Sequence, residues 1–247
     1  MTGLLVSVRD VREATLALEA GVDLLDVKEP SAGPLGFASL DTLLSIAQIA
    51  RKLAPEVPLS AAIGELADPL ALPLEQLHPY RYLKLGLAGM ARSPWPSQWE
   101  HVRGQLADQS QLVPVIYADF PSAQAPPPNE VLELAIAQAA SVLLIDTWDK
   151  DRGNLFAAIS VAELSAIIEQ ARAAEIQVVV AGKLALADVP QLRAIGARYW
   201  GVRTAVCEST RDGTLAPEKI AAWKKVLRDK QFVASTSTTP GENSREN

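Results

Sequence analysis

The stretch "QVVVAGKLALADVPQLRAIGARYWGVR", residues 177–203, decides the fold, because it supplies the last two members of a repeating series. A β-rich run, "QVVVAG" at 177–182, gives way to apolar residues at three- and four-residue spacing over 187–195, then Gly196, then a second β-rich run, "YWGVR" at 199–203. A strand period that changes to a helix period and back marks a βαβ unit, whose two strands lie parallel in one sheet. Gly196 stands where a helix ends in a left-handed turn just ahead of the next strand.

Outward from there the series continues to the amino terminus. "LLVSV" (4–8), "DLLDVK" (23–28), "PLSAAIG" (58–64), "RYLKLGL" (81–87), "LVPVIYA" (112–118) and "SVLLIDT" (141–147) bring the strands to eight, and helical spacing runs over 10–20, 39–53, 130–139 and 160–174. Asp10 is placed to cap the first helix and Gly21 to follow it, while Asn129, after a stiff "APPP" loop, is placed to cap the helix beyond. Pro69, Pro73, Pro94 and Pro96 predict that the connections at 65–80 and 88–110 hold no long helix. Eight alternating units predict a single α/β domain over 1–230, a (β/α)8 TIM-type barrel rather than an open doubly wound sheet. Residues 231–247 lack apolar periodicity and predict a disordered tail.

Composition agrees with that fold and narrows the function. Of the 247 residues 49% are hydrophobic but only 5% aromatic, so the interior is built from Ala, Leu, Val and Ile, as a parallel sheet under alanine-rich helices requires. A formal net charge of −6 argues against a nucleic-acid or membrane-surface binder, both of which need basic patches. Cys207 is the sole cysteine, so no intrachain disulfide is available, and no cluster has zinc-ligand spacing; no metal and no other cofactor is expected. There is no basic leader before an apolar segment and no apolar run of roughly 18 residues, which predicts a cytoplasmic protein that meets no membrane.

In a barrel the chemistry gathers at the carboxyl ends of the strands. Polar residues there are Ser7, Asp26 and Lys28, Glu65, Lys84, Asp119, Asp146 with Asp149 and Lys150, Lys183 and Arg203. Asp26 and Lys28 in "LLDVKEP" share one strand face, and Lys84 in "YLKLGL" interrupts an apolar strand, so all three are expected to point inward. Desolvation and neighbouring cations would lower the pKa of an inward lysine such as Lys84, which suits a Schiff-base nucleophile or a general base. Structural ion pairing of Lys28 and Lys84 with Asp26 and Asp146 is the competing reading of either lysine alone. Two interior lysines with two strand-borne carboxylates exceed what such a core needs, because buried charges are costly. Gly182, Gly201 and Arg203 end the last two strands, where barrels commonly bind phosphate, although turn geometry alone also places glycines there. His78 and His101 read as surface or packing residues and Cys207 as a buried inert thiol, and Trp148 is the one tryptophan expected near the site.

These residues carry a resemblance. "LLVSVRDVREA", "GVDLLDVKEPSAGPLG", "SAAIGE", "YLKLGL", "LIDTWDKDRGNLF", "VVVAGKL" and "GVRTAVC", in this order over roughly 4–228, closely resemble the (5-formylfuran-3-yl)methyl phosphate synthases, also called 4-(hydroxymethyl)-2-furancarboxaldehyde-phosphate synthases. The resemblance implies a barrel lyase that condenses two molecules of glyceraldehyde 3-phosphate, with loss of phosphate and water, to the furan precursor of methanofuran-type one-carbon carriers. It implies Lys28 as the Schiff-base lysine, oriented by Asp26, Lys84 as proton acceptor, and Asp146 and Lys150 as further active-site groups. It implies a phosphorylated triose as the partner, no nucleic acid, and is compatible with a homo-oligomer. The segment 91–100, Lys183 and the tail depart from the family pattern; Lys183 would extend the phosphate site or face solvent. A class I aldolase-like lyase acting on another sugar phosphate would need the same lysines, and a non-catalytic barrel could use them as charge partners for a bound phosphometabolite.

Overall fold

The computed structural model describes residues 2–68, 73–210 and 212–229. The expected tail falls outside them. Eight strands, β1 (Gly3–Val8), β2 (Leu24–Val27), β3 (Leu59–Glu65), β4 (Tyr82–Gly86), β5 (Gln111–Tyr117), β6 (Val142–Asp146), β7 (Gln177–Val180) and β8 (Tyr199–Val202), pair in parallel in chain order. β8 closes onto β1, with Gly3 opposite Tyr199 and Leu5 opposite Gly201, so the sheet is a barrel and not an open sheet.

Outside the strands lie α1 (Val11–Glu19), α2 (Leu40–Leu53), α3 (Trp95–Arg103), α4 (Phe120–Ala123), α5 (Pro128–Ala137), α6 (Leu155–Ala158), α7 (Val161–Ala173), α8 (Val189–Ile195) and α9 (Pro217–Arg228). Strand alternation divides the core in two. Leu4, Val6, Leu25, Leu83, Ile116 and Ile145 face the helices, where Ala14, Leu43, Ile46, Leu164 and Ile168 meet them. Leu5, Leu24, Ala62, Val113, Leu144 and Val179 form a separate cluster that fills the lower barrel. In the next layer the cross-strand register sets Ser7 opposite Asp26, Asp26 opposite Ser60, and Ala62 opposite Lys84, so the apolar filling gives way to polar groups toward the carboxyl ends.

Helix ends follow local chemistry. The Asp10 side chain accepts from the Glu13 N–H, and Gly21 and Gly196, at φ +73° and +64°, turn the chain out of α1 and α8 as expected. Ser160 and Glu163 satisfy each other's backbone N–H at the start of α7. The connection at 88–110 holds no long helix, as expected, only the nine-residue α3, which Pro96 helps to start from its first turn, where its missing N–H has no intrahelical partner to lose. One expectation is corrected. Asn129 does not cap α5, which begins one residue earlier on Pro128 with Pro127 as the flanking residue. Among the described residues no helix is long and apolar enough to cross a membrane.

Candidate active site

Because residues i and i+2 of a strand share a face, Asp26 and Lys28 at the end of β2 both enter the barrel, as does Lys84 from β4 and Asp146 from β6. With Lys150, from the loop after β6, they line one cavity of about 310 Å³ at the carboxyl ends of the strands, floored by Leu5, Leu144 and Val179. The site residues expected from β2, β4, β6, β7 and β8 therefore converge on one space.

The charges are arranged as two pairs and one lone amine. Lys84 Nζ lies 2.6 Å from Asp26 Oδ1, with the aspartate wholly buried, in a contact of opposite charges whose alignment falls short of a hydrogen bond. The other Asp26 oxygen accepts from Ser7 Oγ at 2.8 Å. Lys150 Nζ donates to Asp146 Oδ1 at 2.6 Å and also to Thr147, while Asp146 accepts the Thr147 N–H at 2.8 Å. Burial pushes the Asp146 carboxyl up, but Lys150 and Lys28 outweigh it and hold the acid below its usual range.

Lys28 is the third cation, 8% exposed, and among the described residues its Nζ makes no hydrogen bond or ion pair. Burial lowers its pKa from 10.5 to about 7, with Lys84 and Lys150 adding to the fall and Asp146 and Asp26 opposing it. A substantial neutral fraction is thus present near neutrality, the state in which an amine attacks a carbonyl. Asp26, expected to orient Lys28, instead contacts Lys84; its effect on Lys28 is through charge at a distance.

The β7 and β8 ends give a mixed outcome. Gly182, at φ +108°, and Gly201, facing Ala181, line the cavity, as do Ser209 and Thr210 from the loop after β8, which sequence reasoning missed because no strand or motif marks them. Lys183 also lines it and donates to the Lys150 carbonyl at 2.7 Å, tying the β6 and β7 loops together. Arg203 reaches the cavity wall, yet both terminal nitrogens bond the Glu13 carboxylate of α1, and they donate also to the Ser7 and Gly213 carbonyls. The bidentate grip expected for a phosphate is taken by an internal acid.

The remaining candidates divide. Asp119 accepts the Trp148 and Asp149 N–H groups at 2.7 and 2.8 Å and so shapes the β6 loop. Glu65 is buried at the end of β3, accepting from Tyr117 Oη, whose ring meets Trp148 edge-on. His78 and His101 are exposed, and Cys207 is fully buried with its thiol donating to the Arg203 carbonyl.

The chain is 26% identical to a (5-formylfuran-3-yl)methyl phosphate synthase of Archaeoglobus fulgidus, over 88% of this chain and 95% of the relative. It is 31% identical to the synthase of the same name from Methanococcus maripaludis, over 92% and 99%. Among solved structures, phosphoribosyl anthranilate isomerase of Thermus thermophilus is similar with a TM-score of 0.60 at 16% identity, over 92% of this chain and 98% of that one. A 3-hexulose-6-phosphate synthase is similar with a TM-score of 0.52 at 16% identity, over 89% and 98%; both likenesses concern the fold alone. The family described as 4-HFC-P synthase matches residues 4–224, and with that match and these relatives the chain belongs to the 4-HFC-P synthase family.

Proposed function

We propose that the chain condenses two molecules of glyceraldehyde 3-phosphate to (5-formylfuran-3-yl)methyl phosphate through an imine on Lys28, as the lyase step toward a methanofuran-type carrier. One observation carries the reading: a buried lysine with no carboxylate in contact stands among two lysine–carboxylate pairs over one cavity. The atoms balance as two trioses giving one furan phosphate, one inorganic phosphate and two waters.

Neutral Lys28 adds to a triose carbonyl, and water leaves as the imine forms. The protonated imine draws electrons from the adjacent carbon, which lowers the cost of removing its proton. Lys84, set against Asp26, is the proton acceptor on the β4 side; Asp146 with Lys150 carries protons on the β6 side. The substrate phosphate lies at the β7 and β8 ends, where Gly182 and Gly201 admit close backbone approach, Lys183 adds charge, and Arg203 supplies a cation behind the wall.

Incubation with glyceraldehyde 3-phosphate alone should produce a furan chromophore and equimolar phosphate, and borohydride should trap an adduct that peptide mapping places on Lys28. Lys84→Met should keep the trapped adduct and lose furan formation by roughly a hundredfold or more. An aldol product without furan would assign an aldolase-like lyase instead. The absence of any adduct, or an adduct on Lys84 alone, would remove Lys28 as the nucleophile.

A further inference from the structure

A second constellation stands at the same end of the barrel and is not used by the lysine chemistry. Gly64, at φ +97°, lies in a register irregularity between Ala62 and Glu65 of β3, and the chain emerges with the Glu65 carboxyl against β4 and β5. Gly86 makes the room: a Cβ there would fall 2.0 Å from Glu65 Oε2. Tyr117 Oη donates to Glu65 Oε1 at 2.6 Å and the Ala88 N–H to Oε2 at 2.9 Å. Among the described residues no cation contacts the acid.

Glu65 also floors a cleft of about 140 Å³ whose walls include Phe37, from the loop after β2, and Trp148, from the loop after β6. Those two loops follow the strands that carry Lys28 and Asp146, so the cleft opens on the same rim as the lysine cavity, and Asp146, which lines that cavity, acts on Glu65 through its charge. Tyr117 stands opposite Asp146 in the β5–β6 register, which sets the Glu65–Tyr117 pair at the level of the reacting groups. Asp68, also in the cleft lining, makes it repel a phosphate, so it suits an uncharged, hydroxyl-bearing part of the substrate.

Resting on the furan-forming reading above, we propose that Glu65 is a further catalytic residue, the acid that protonates a departing hydroxyl seated in this cleft during dehydration. In the step a base removes the proton next to the imine, and the C–H electron pair becomes a C=C bond. The C–O bond breaks and the hydroxyl leaves as water with the Glu65 proton. The Glu65 carboxylate, held by Tyr117 and Ala88, recovers a proton from solvent through the cleft.

The surroundings favour the acid form at work. Burial raises the Glu65 pKa to about 7; Tyr117 and the Ala88 N–H oppose the rise, and the charges of Asp68 and Asp146 add to it. Lys28 must be neutral and Glu65 protonated, so activity should fall on both sides of neutrality, the alkaline limb belonging to Glu65.

Glu65→Gln keeps the volume, but its one amide oxygen can accept from only one of the two donors, Tyr117 Oη or the Ala88 N–H, and it cannot release a proton, so it is tested beside Tyr117→Phe, which leaves the acid in place. The expected result for Glu65→Gln is a wild-type yield of borohydride-trapped Lys28 adduct, furan formation lowered about a hundredfold or more, and a condensed species that retains its hydroxyl in the quenched mixture. Tyr117→Phe removes a donor that favours the carboxylate, so the alkaline limb of kcat should move to higher pH while the acid limb stays. If wild-type protein makes no furan phosphate, the reading of the reaction fails. If wild type makes it and Glu65→Gln matches its rate, or the alkaline limb ignores Tyr117→Phe, Glu65 is not the acid.

Discussion

Lys28 occupies a position that opposes folding. Its folded pKa of about 7 lies below the 10.5 of an exposed lysine, so between these values the unfolded chain holds a proton that the folded chain does not. Stability therefore rises with pH across that window, and the cost of burying the amine is complete below about pH 7 and gone above about 10.5. Lys28→Met, close in volume and without the charge, should be more stable than wild type at pH 7, by an amount on the order of a few kcal/mol. The gain should shrink as pH rises and vanish near the upper end of the window, as urea unfolding across pH would report; a constant difference would place Lys28 in contact with solvent. The lysines were legible in the sequence because a charge within an apolar strand is conspicuous. Their pairing was legible only in part: ion pairing with Asp26 and Asp146 was the competing reading of both lysines, and it holds for Lys84, which contacts Asp26, but not for Lys28 on the same strand face as that acid.

At the scale of elements, the strands were legible because short β-rich runs recur with helical spacing between them, and the observed ends differ from the expected ones by a residue or two. Proline kept 88–110 free of a long helix, as read, but where α3 begins was not visible, because the same residue breaks a helix interior and starts a helix. The β3–β4 irregularity was also hidden, since nothing local in "SAAIGE" reveals that Gly64 turns the chain or that Gly86 on the next strand must lack a side chain. That pairing predicts the behaviour of Gly86→Ala. Its methyl would occupy the space of the Glu65 carboxyl, so the variant should lose about 1–3 kcal/mol of stability to overpacking. In a Glu65→Ala background the same substitution should cost clearly less, because the obstructing group is gone, and the double-mutant cycle measures that coupling. Additive costs would mean that Gly86 is required for the strand itself and not for the carboxyl.

The whole molecule depends on closing its last strand against its first, and Arg203 is placed at that seam. From the end of β8 it bonds the Ser7 carbonyl of β1 at 3.1 Å, the Gly213 carbonyl at 3.3 Å and both oxygens of Glu13 on α1, with both side chains buried. The glycines and guanidinium at the strand ends suggested a phosphate grip, and sequence could not show otherwise, since Glu13 lies 190 residues away. A guanidinium committed to a buried acid serves the fold first, and removing it strands that acid in a dry environment, which costs about 3–5 kcal/mol where such pairs have been broken. Arg203→Met should therefore unfold at markedly lower urea, with the loss in that range. Adding Glu13→Leu should recover much of the loss, because the uncompensated carboxylate goes with it. Kinetics of Arg203→Met, measured well below its unfolding midpoint, should show a smaller rise in KM than a direct phosphate ligand would give, which is roughly ten- to a hundredfold for a lost charged hydrogen bond. Wild-type stability joined to a large KM increase would reverse the assignment: Arg203 would then leave Glu13 for the substrate phosphate, and the seam would be held by the β1–β8 hydrogen bonds alone.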